Sequence, residues 1–203
     1  MIYRFCYSLS LILTKSLLKL KVVGRENLPS KDGYILASNH LSYLDPIVLG
    51  VGFRRQLHFM AKKSLFNNRL FGKLLNSINV FAVGEQNAGS SAVKEALKRL
   101  KAGKVVAIFP EGTRSKDGKL QEAKIGIGFL AIKSKTPVVP ARIIGTGEAL
   151  PIKARFIRFK PVSVYFGRPL DLDRFYQQGE SKQNYLRISR LIMEEISKLG
   201  VKE

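Results

Sequence analysis

Asn39-His40-Leu41-Ser42-Tyr43-Leu44-Asp45 sets an imidazole and a carboxylate five residues apart, directly after the apolar run Tyr34-Ile35-Leu36-Ala37. The chain has 203 residues and only two histidines, so a general base of the histidine type has two candidates. The run YILASN reads as a buried strand, and Leu44 to Gly52 as the helix that follows it. His40 then lies on the strand-to-helix loop, with Asp45 in the first helical turn. From there a carboxylate can hold one ring nitrogen while the other faces a substrate. The same residues carry a second reading: Asp45 before Pro46 is also the pattern of a helix N-cap followed by proline at the first helical position.

Pro110-Glu111-Gly112-Thr113-Arg114-Ser115 forms a second constellation. It gathers a carboxylate, a hydroxyl and a guanidinium around a glycine that lets backbone approach a ligand closely. Arg suits bidentate phosphate binding, and Thr with backbone N–H groups adds donors. A Glu-Gly pair alone reads as a polar turn. Here it follows Val105-Val106-Ala107-Ile108-Phe109, a run without polar alternation, as expected of a central strand covered on both faces. In open α/β sheets ligands bind outside the strand ends, where loops lead into helices. The His40–Asp45 loop and the loop after Phe109 both meet that description.

The elements that must position these loops are legible along the chain. Strands are expected at Leu20–Val23, Tyr34–Ser38, Leu57–Ala61, Asn79–Ala82, Val105–Phe109, Val138–Ile144 and Val162–Phe166. Helical patterns fill the gaps at Leu44–Gly52, Arg69–Ser77, Ser91–Ala102, Lys124–Lys135 and Lys182–Leu199. In Ser91–Ala102, Val93, Ala96, Leu97 and Leu100 point inward and Lys94, Glu95, Lys98 and Arg99 outward, with Gly103 placed as a left-handed terminator. Alternation of this kind specifies an α/β fold: a single domain with a central, mostly parallel or mixed sheet of about seven strands flanked by helices.

Thirty-five Lys and Arg against 15 Asp and Glu leave a net charge of +20. Such a field favours polyanions: nucleic acid, an anionic bilayer or phosphorylated substrates. Aromatic residues do not interleave with basic ones in the manner of a single-strand or RNA platform, so nucleic acid is not the expected partner. One cysteine, Cys6, excludes an internal disulfide. One Cys and two His supply no His/Cys metal cluster, and no metal is expected. His58 has no carboxylate nearby in sequence and reads as structural or as a surface residue.

Residues 1–20 form a separate N-terminal unit. Ile2, Phe5, Leu9, Leu13, Leu17 and Leu20 recur at three- and four-residue spacing on one helical face, with Arg4, Ser8, Lys15 and Lys19 opposite. The uncharged stretch Phe5–Thr14 is about half the length of a membrane span. An amphipathic helix of this type suits the plane of a membrane interface. Packing of the apolar face on the domain is the other reading. The basic segment Lys153, Arg155, Arg158 and Lys160 reads as surface decoration without a specific motif.

Asn39-His40-x4-Asp45, followed by FPEGTRS and then Val138-Val139-Pro140-Ala141, resembles the glycerolipid acyltransferases, a family that includes the 1-acylglycerol-3-phosphate O-acyltransferases and their glycerol-3-phosphate relatives. Ala61-Lys62-Lys63 and Lys124-x-Gly126 match it as well, and the likeness extends from about residue 20 to 170. The resemblance implies that residues 21–203 form an acyltransferase domain. His40 would be the general base for the acceptor hydroxyl, with Asp45 orienting it. Glu111, Gly112, Thr113 and Arg114 would form the acceptor site with Arg114 facing the phosphate, and Pro140 would lie toward the acyl-donor side.

It further implies an acyl-CoA or acyl-carrier-protein co-substrate without a cofactor, a lysophospholipid acceptor, and a peripheral or monotopic location on the cytoplasmic face of an anionic membrane. The family's second block usually carries a basic residue; Phe81-Ala82-Val83-Gly84-Glu85-Gln86 places Glu85 there instead. Either Lys62, Lys63 or Lys124 then takes over the phosphate contact, or the acceptor is another than lysophosphatidic acid. A thioester's thiol leaves with a pKa of about 8.5, so a positioned base and good alignment suffice. Cys6 in the interfacial helix and Ser42 without a base of its own favour direct transfer over an acyl-enzyme.

Overall fold

The computed structural model describes residues 2–53, 55–83 and 88–201. Helix α1 (Ile2–Leu18) leads into β1 (Lys21–Val23) and then β2 (Ile35–Ser38), α2 (Asp45–Gly52) and β3 (Leu57–Lys62). There follow α3 (Arg69–Ser77), β4 (Val80–Val83), α4 (Ala88–Lys101), β5 (Val105–Ile108), α5 (Ile125–Ser134) and β6 (Val138–Ile144). The chain closes with α6 (Thr146–Ala149), β7 (Ser163–Phe166), α7 (Asp173–Gln177) and α8 (Lys182–Lys198). Every strand and longer helix expected from the sequence is present within a few residues of its expected bounds. The short helices α6 and α7, and 3₁₀ turns at Arg25–Asn27 and Lys63–Phe66, were not anticipated.

The strands form one seven-stranded sheet in the order β1-β7-β6-β2-β5-β3-β4. Strands β2 to β6 run parallel to one another; β7 is antiparallel to β6 and parallel to β1. All four residues of β2 and of β5 are buried, because helices cover both faces. Strand alternation sends Ile35, Ala37, Val106 and Ile108 to one face, against α4, α5 and α8. Leu36, Val105, Ala107 and Val139 go to the other, against α2 and the end of α1. The central strands are thereby clamped in register, and their C-terminal ends become a fixed platform for loops. Gly103 closes α4 at φ +69°, the left-handed conformation its sequence position implied.

Helix α1 packs on α2 through buried Thr14 and Leu18. Of the apolar stripe read from the sequence, Phe5, Leu9 and Leu13 are exposed, with Ile12 beside them, while Leu17 and Leu20 pack against the domain core. Arg99, expected to point outward, is instead half-buried: its guanidinium stacks on the Phe81 ring at 4.3 Å and hydrogen-bonds His58 Nδ1. His58 is buried on β3, so its structural reading holds. Among the described residues no helix is long and apolar enough to cross a membrane.

Candidate active site

β2 ends at Ser38, and the chain turns sharply at Asn39. The Asn39 amide is a two-point lock: its Nδ2 donates to Ile143 O at 2.9 Å and its Oδ1 accepts from Ile143 N at 2.7 Å. This bond pair fastens the exit of β2 to β6 and fixes where His40 begins. His40 Nδ1 lies 2.8 Å from Asp45 Oδ2. The same oxygen accepts from Leu41 N at 2.5 Å and Ser42 N at 2.8 Å, and Asp45 is wholly buried.

The carboxylate therefore points back toward the loop that precedes it, and makes no capping bond to its own helix, whose N-cap is Leu44. Of the two positions the sequence left open to it, the carboxylate takes the one against the imidazole. An acceptor fixed by two backbone amides leaves Asp45 Oδ2 to receive a proton from Nδ1, so the free lone pair of the imidazole lies on Nε2. Among the described residues no hydrogen-bond partner occupies Nε2.

The loop after β5 completes the arrangement. Ser115 N donates to His40 O at 2.8 Å, and His40 N donates to Glu111 Oε1 at 2.9 Å. Glu111 Oε2 accepts from Gln121 N at 3.2 Å. Glu111 is only 2% exposed, and each of its oxygens holds a backbone amide. Glu111, expected from the sequence at the acceptor site, here holds the His40 loop against the Pro110–Ser115 loop. Burial raises its pKa, while the amides of His40 and Gln121 oppose that shift.

Phe109 stacks on the His40 ring at 4.0 Å and 13° and in turn lies 6.4 Å from Phe59. An aromatic face there confines the imidazole. Phe109, Asn39 and the bracing role of Glu111 escaped sequence reasoning. Their signal was adjacency to the two motifs, and their partners lie far away in the chain.

The remaining motif residues surround the same loops. Arg114 is half-buried with its guanidinium 3.5 Å from the centroid of the Tyr43 ring, and its buried Nη1 has no hydrogen-bond partner. Tyr43 sits within the His40–Asp45 loop, so the cation lies beside the imidazole's loop with donor capacity to spare. Thr113 is exposed. Gly112 adopts φ +70°, and a Cβ there would stand 3.0 Å from the Lys124 side chain, which lies across it. Lys124 N also donates to Pro110 O at 2.9 Å.

Gly112, Thr113, Arg114 and Lys124 are thus gathered at one rim. Pro140 packs against Gly167 and lines a groove of about 440 Å³ with Leu191 and Leu199. The side chain of Lys62 and the whole of Glu85 lie outside the described residues. Ser42 is buried, with its hydroxyl donating to Leu150 O at 2.8 Å, a position closed to nucleophilic attack.

The C-terminal ends of β2 and β5 thus bring together a buried carboxylate, an imidazole whose second nitrogen has no partner among the described residues, and an arginine with an unsatisfied donor. The family model described as Acyltransferase matches residues 19–144, and the chain belongs to the acyltransferase family. A 1-acyl-sn-glycerol-3-phosphate acyltransferase of Bacillus subtilis is 37% identical over 170 residues, 83% of this chain and 82% of that protein. A chloroplastic enzyme of the same name from Arabidopsis thaliana is 35% identical over 136 residues, 66% of this chain and 38% of its own. Among solved structures, the 1-acyl-sn-glycerophosphate (LPA) acyltransferase PlsC from Thermotoga maritima superposes with a TM-score of 0.75 at 27% identity. That match covers 98% of this chain and 81% of that one.

Proposed function

We propose that this protein transfers a fatty acyl group from a thioester to the sn-2 hydroxyl of 1-acylglycerol 3-phosphate at a membrane surface, giving phosphatidic acid for phospholipid synthesis. The observation that carries the reading is the His40–Asp45 contact with Nε2 unoccupied, next to a guanidinium with a bare donor. The family membership and the names of the relatives supply the reaction class.

In this mechanism His40 Nε2 removes the proton of the acceptor hydroxyl as its oxygen attacks the thioester carbonyl. Asp45 stabilises the imidazolium that forms, and the ring of Phe109 confines it from one face. The tetrahedral intermediate collapses by breaking the C–S bond, and the proton passes from the imidazolium to the departing thiolate. Arg114 binds the acceptor phosphate, with Thr113, the Gly112 backbone and Lys124 as further donors. A positioned base accounts for about 10²–10⁴-fold in rate. The remainder comes from holding the acceptor by its phosphate in line with the thioester.

The deciding assay supplies the purified protein on phospholipid vesicles with oleoyl-CoA or an oleoyl carrier-protein thioester. Lysophosphatidic acid, lysophosphatidylcholine and glycerol 3-phosphate serve as acceptors. Phosphatidic acid formed from lysophosphatidic acid supports the proposal, and the better thioester names the donor. Turnover of glycerol 3-phosphate with none of lysophosphatidic acid would replace the acceptor assignment, and absence of acyl transfer to any of the three would reject the reaction.

A further inference from the structure

The connection between α6 and β7 carries two of the most exposed large apolar side chains among the described residues. Phe156 is 82% exposed, Phe159 76% and Ile157 44%. They alternate with Arg155, Arg158 and Lys160, all exposed. No acidic residue occurs between Glu148 and Asp171. Two largely exposed phenylalanines cost hydration without serving any core, whereas an aromatic and cationic mixture is what an interface of headgroups and acyl chains accepts.

Topology fixes where this segment lies. β6 runs parallel to β2, so its C-terminal end, from which the segment leaves, is the end where His40 sits. β7 returns antiparallel to β6, with Ser163 opposite Ile144, so the segment re-enters the sheet at that same end. It is not a slack loop. Arg158 N bonds to Ala149 O at 2.7 Å, Ala154 N to Pro151 O at 2.9 Å, and Val162 N to Leu18 O at 2.9 Å. Its first residues also touch the candidate catalytic loop, since Leu150 O accepts the Ser42 hydroxyl.

We infer that residues 153–160 form a membrane-insertion loop, separate from α1, that seats in an anionic phospholipid bilayer and holds the His40 rim at the lipid surface. The inference rests on the membrane-surface part of the function proposed above. The charge sign selects the occupant: the loop is cationic throughout, and an anionic bilayer offers both a complementary surface potential and an apolar layer for Phe156, Ile157 and Phe159. Docking of an acidic carrier protein is the competing outcome.

The chain contains no tryptophan, so a single substitution gives an unambiguous reporter. Full-length Phe156→Trp and Phe159→Trp are mixed with phosphatidylglycerol-containing vesicles, with or without brominated acyl chains, and compared with Leu9→Trp on α1. A blue shift and bromine quenching of the loop tryptophans, together with a partition coefficient lowered about tenfold or more in Phe156→Ser/Phe159→Ser, are the expected results. Quenching at Leu9→Trp alone would overturn the loop and keep the membrane. Silence at every reporter would overturn the membrane reading itself, while acyl transfer to a dispersed short-chain acceptor reports separately on the reaction. A loop reporter that responds to acidic acyl carrier protein and not to vesicles would reassign the surface to protein docking.

Discussion

Asp45 and Glu111 both sit beside His40, yet they act on it through different atoms. Asp45 accepts a hydrogen bond from the ring, and Glu111 accepts one from the backbone N–H of the same residue. Removing the ring should therefore separate from removing the brace. His40→Ala is expected to lower kcat by 10²–10⁴-fold or more, with folding and vesicle binding retained.

Glu111→Ala leaves the His40 and Gln121 amides without acceptors, which costs about 1–3 kcal/mol for each buried group. It should lower both the melting temperature and kcat. Glu111→Gln keeps one acceptor oxygen and should recover part of each. Melting curves and kcat measured on the three variants check this. Full activity in Glu111→Ala would show that the brace does not position the base, and full activity in His40→Ala would remove the base assignment altogether.

At the scale of elements, the strands and long helices were legible because their signals are local. A short unbroken apolar run between Gly103 and Pro110, such as Val105–Ile108, reads as a buried strand, and Val93, Ala96, Leu97 and Leu100 repeat at helical spacing. What the sequence hid were contacts between segments. Arg99 reads as a solvated cation on the outer face of α4 until β3 brings His58 beneath it, and Asn39 reads as a motif letter until β6 brings Ile143 alongside. Glu111 likewise gives no local sign of the amide of His40 that it accepts from, because that residue lies 71 positions away in the chain. Helix α6, a single turn of Thr146–Ala149, is too short to leave a periodic trace.

The β3–α4 contact has a measurable pH signature. Burial first, then the Arg99 cation, lowers the His58 pKa from 6.5 to about 4. The unfolded chain takes up a proton near pH 6.5 and the folded chain does not, so the unfolded state is favoured as pH falls through that window. Thermal stability should drop between about pH 6.5 and pH 4. The drop should be smaller in His58→Gln, whose side-chain oxygen can still accept from Arg99. Parallel slopes in the two proteins would disprove the coupling.

For the molecule as a whole, the net charge of +20 and the exposed apolar residues act over different distances, and salt separates them. Around the catalytic end of the sheet lie apolar groups on α3 (Leu70, Phe71, Leu74) and at 156–159, alongside Tyr43 of the His40–Asp45 loop. β3 and β5 are parallel to β2, so α3 leaves the sheet from this same end. Attraction of the cations to an anionic bilayer is worth about 1 kcal/mol per residue near the surface and decays over a Debye length, about 10 Å at 0.1 M salt and about 3 Å at 1 M. Apolar insertion has no such decay.

Association with phosphatidylglycerol vesicles should thus weaken steeply as salt rises toward 1 M and then level at a residual set by the apolar groups. On purely zwitterionic vesicles only that residual should be seen, with little dependence on salt. Vesicle co-sedimentation across a salt series measures both. A salt-independent affinity for anionic vesicles would mean that the basic excess does not drive docking, and an affinity that falls to nothing at high salt would mean that no apolar side chain enters the bilayer.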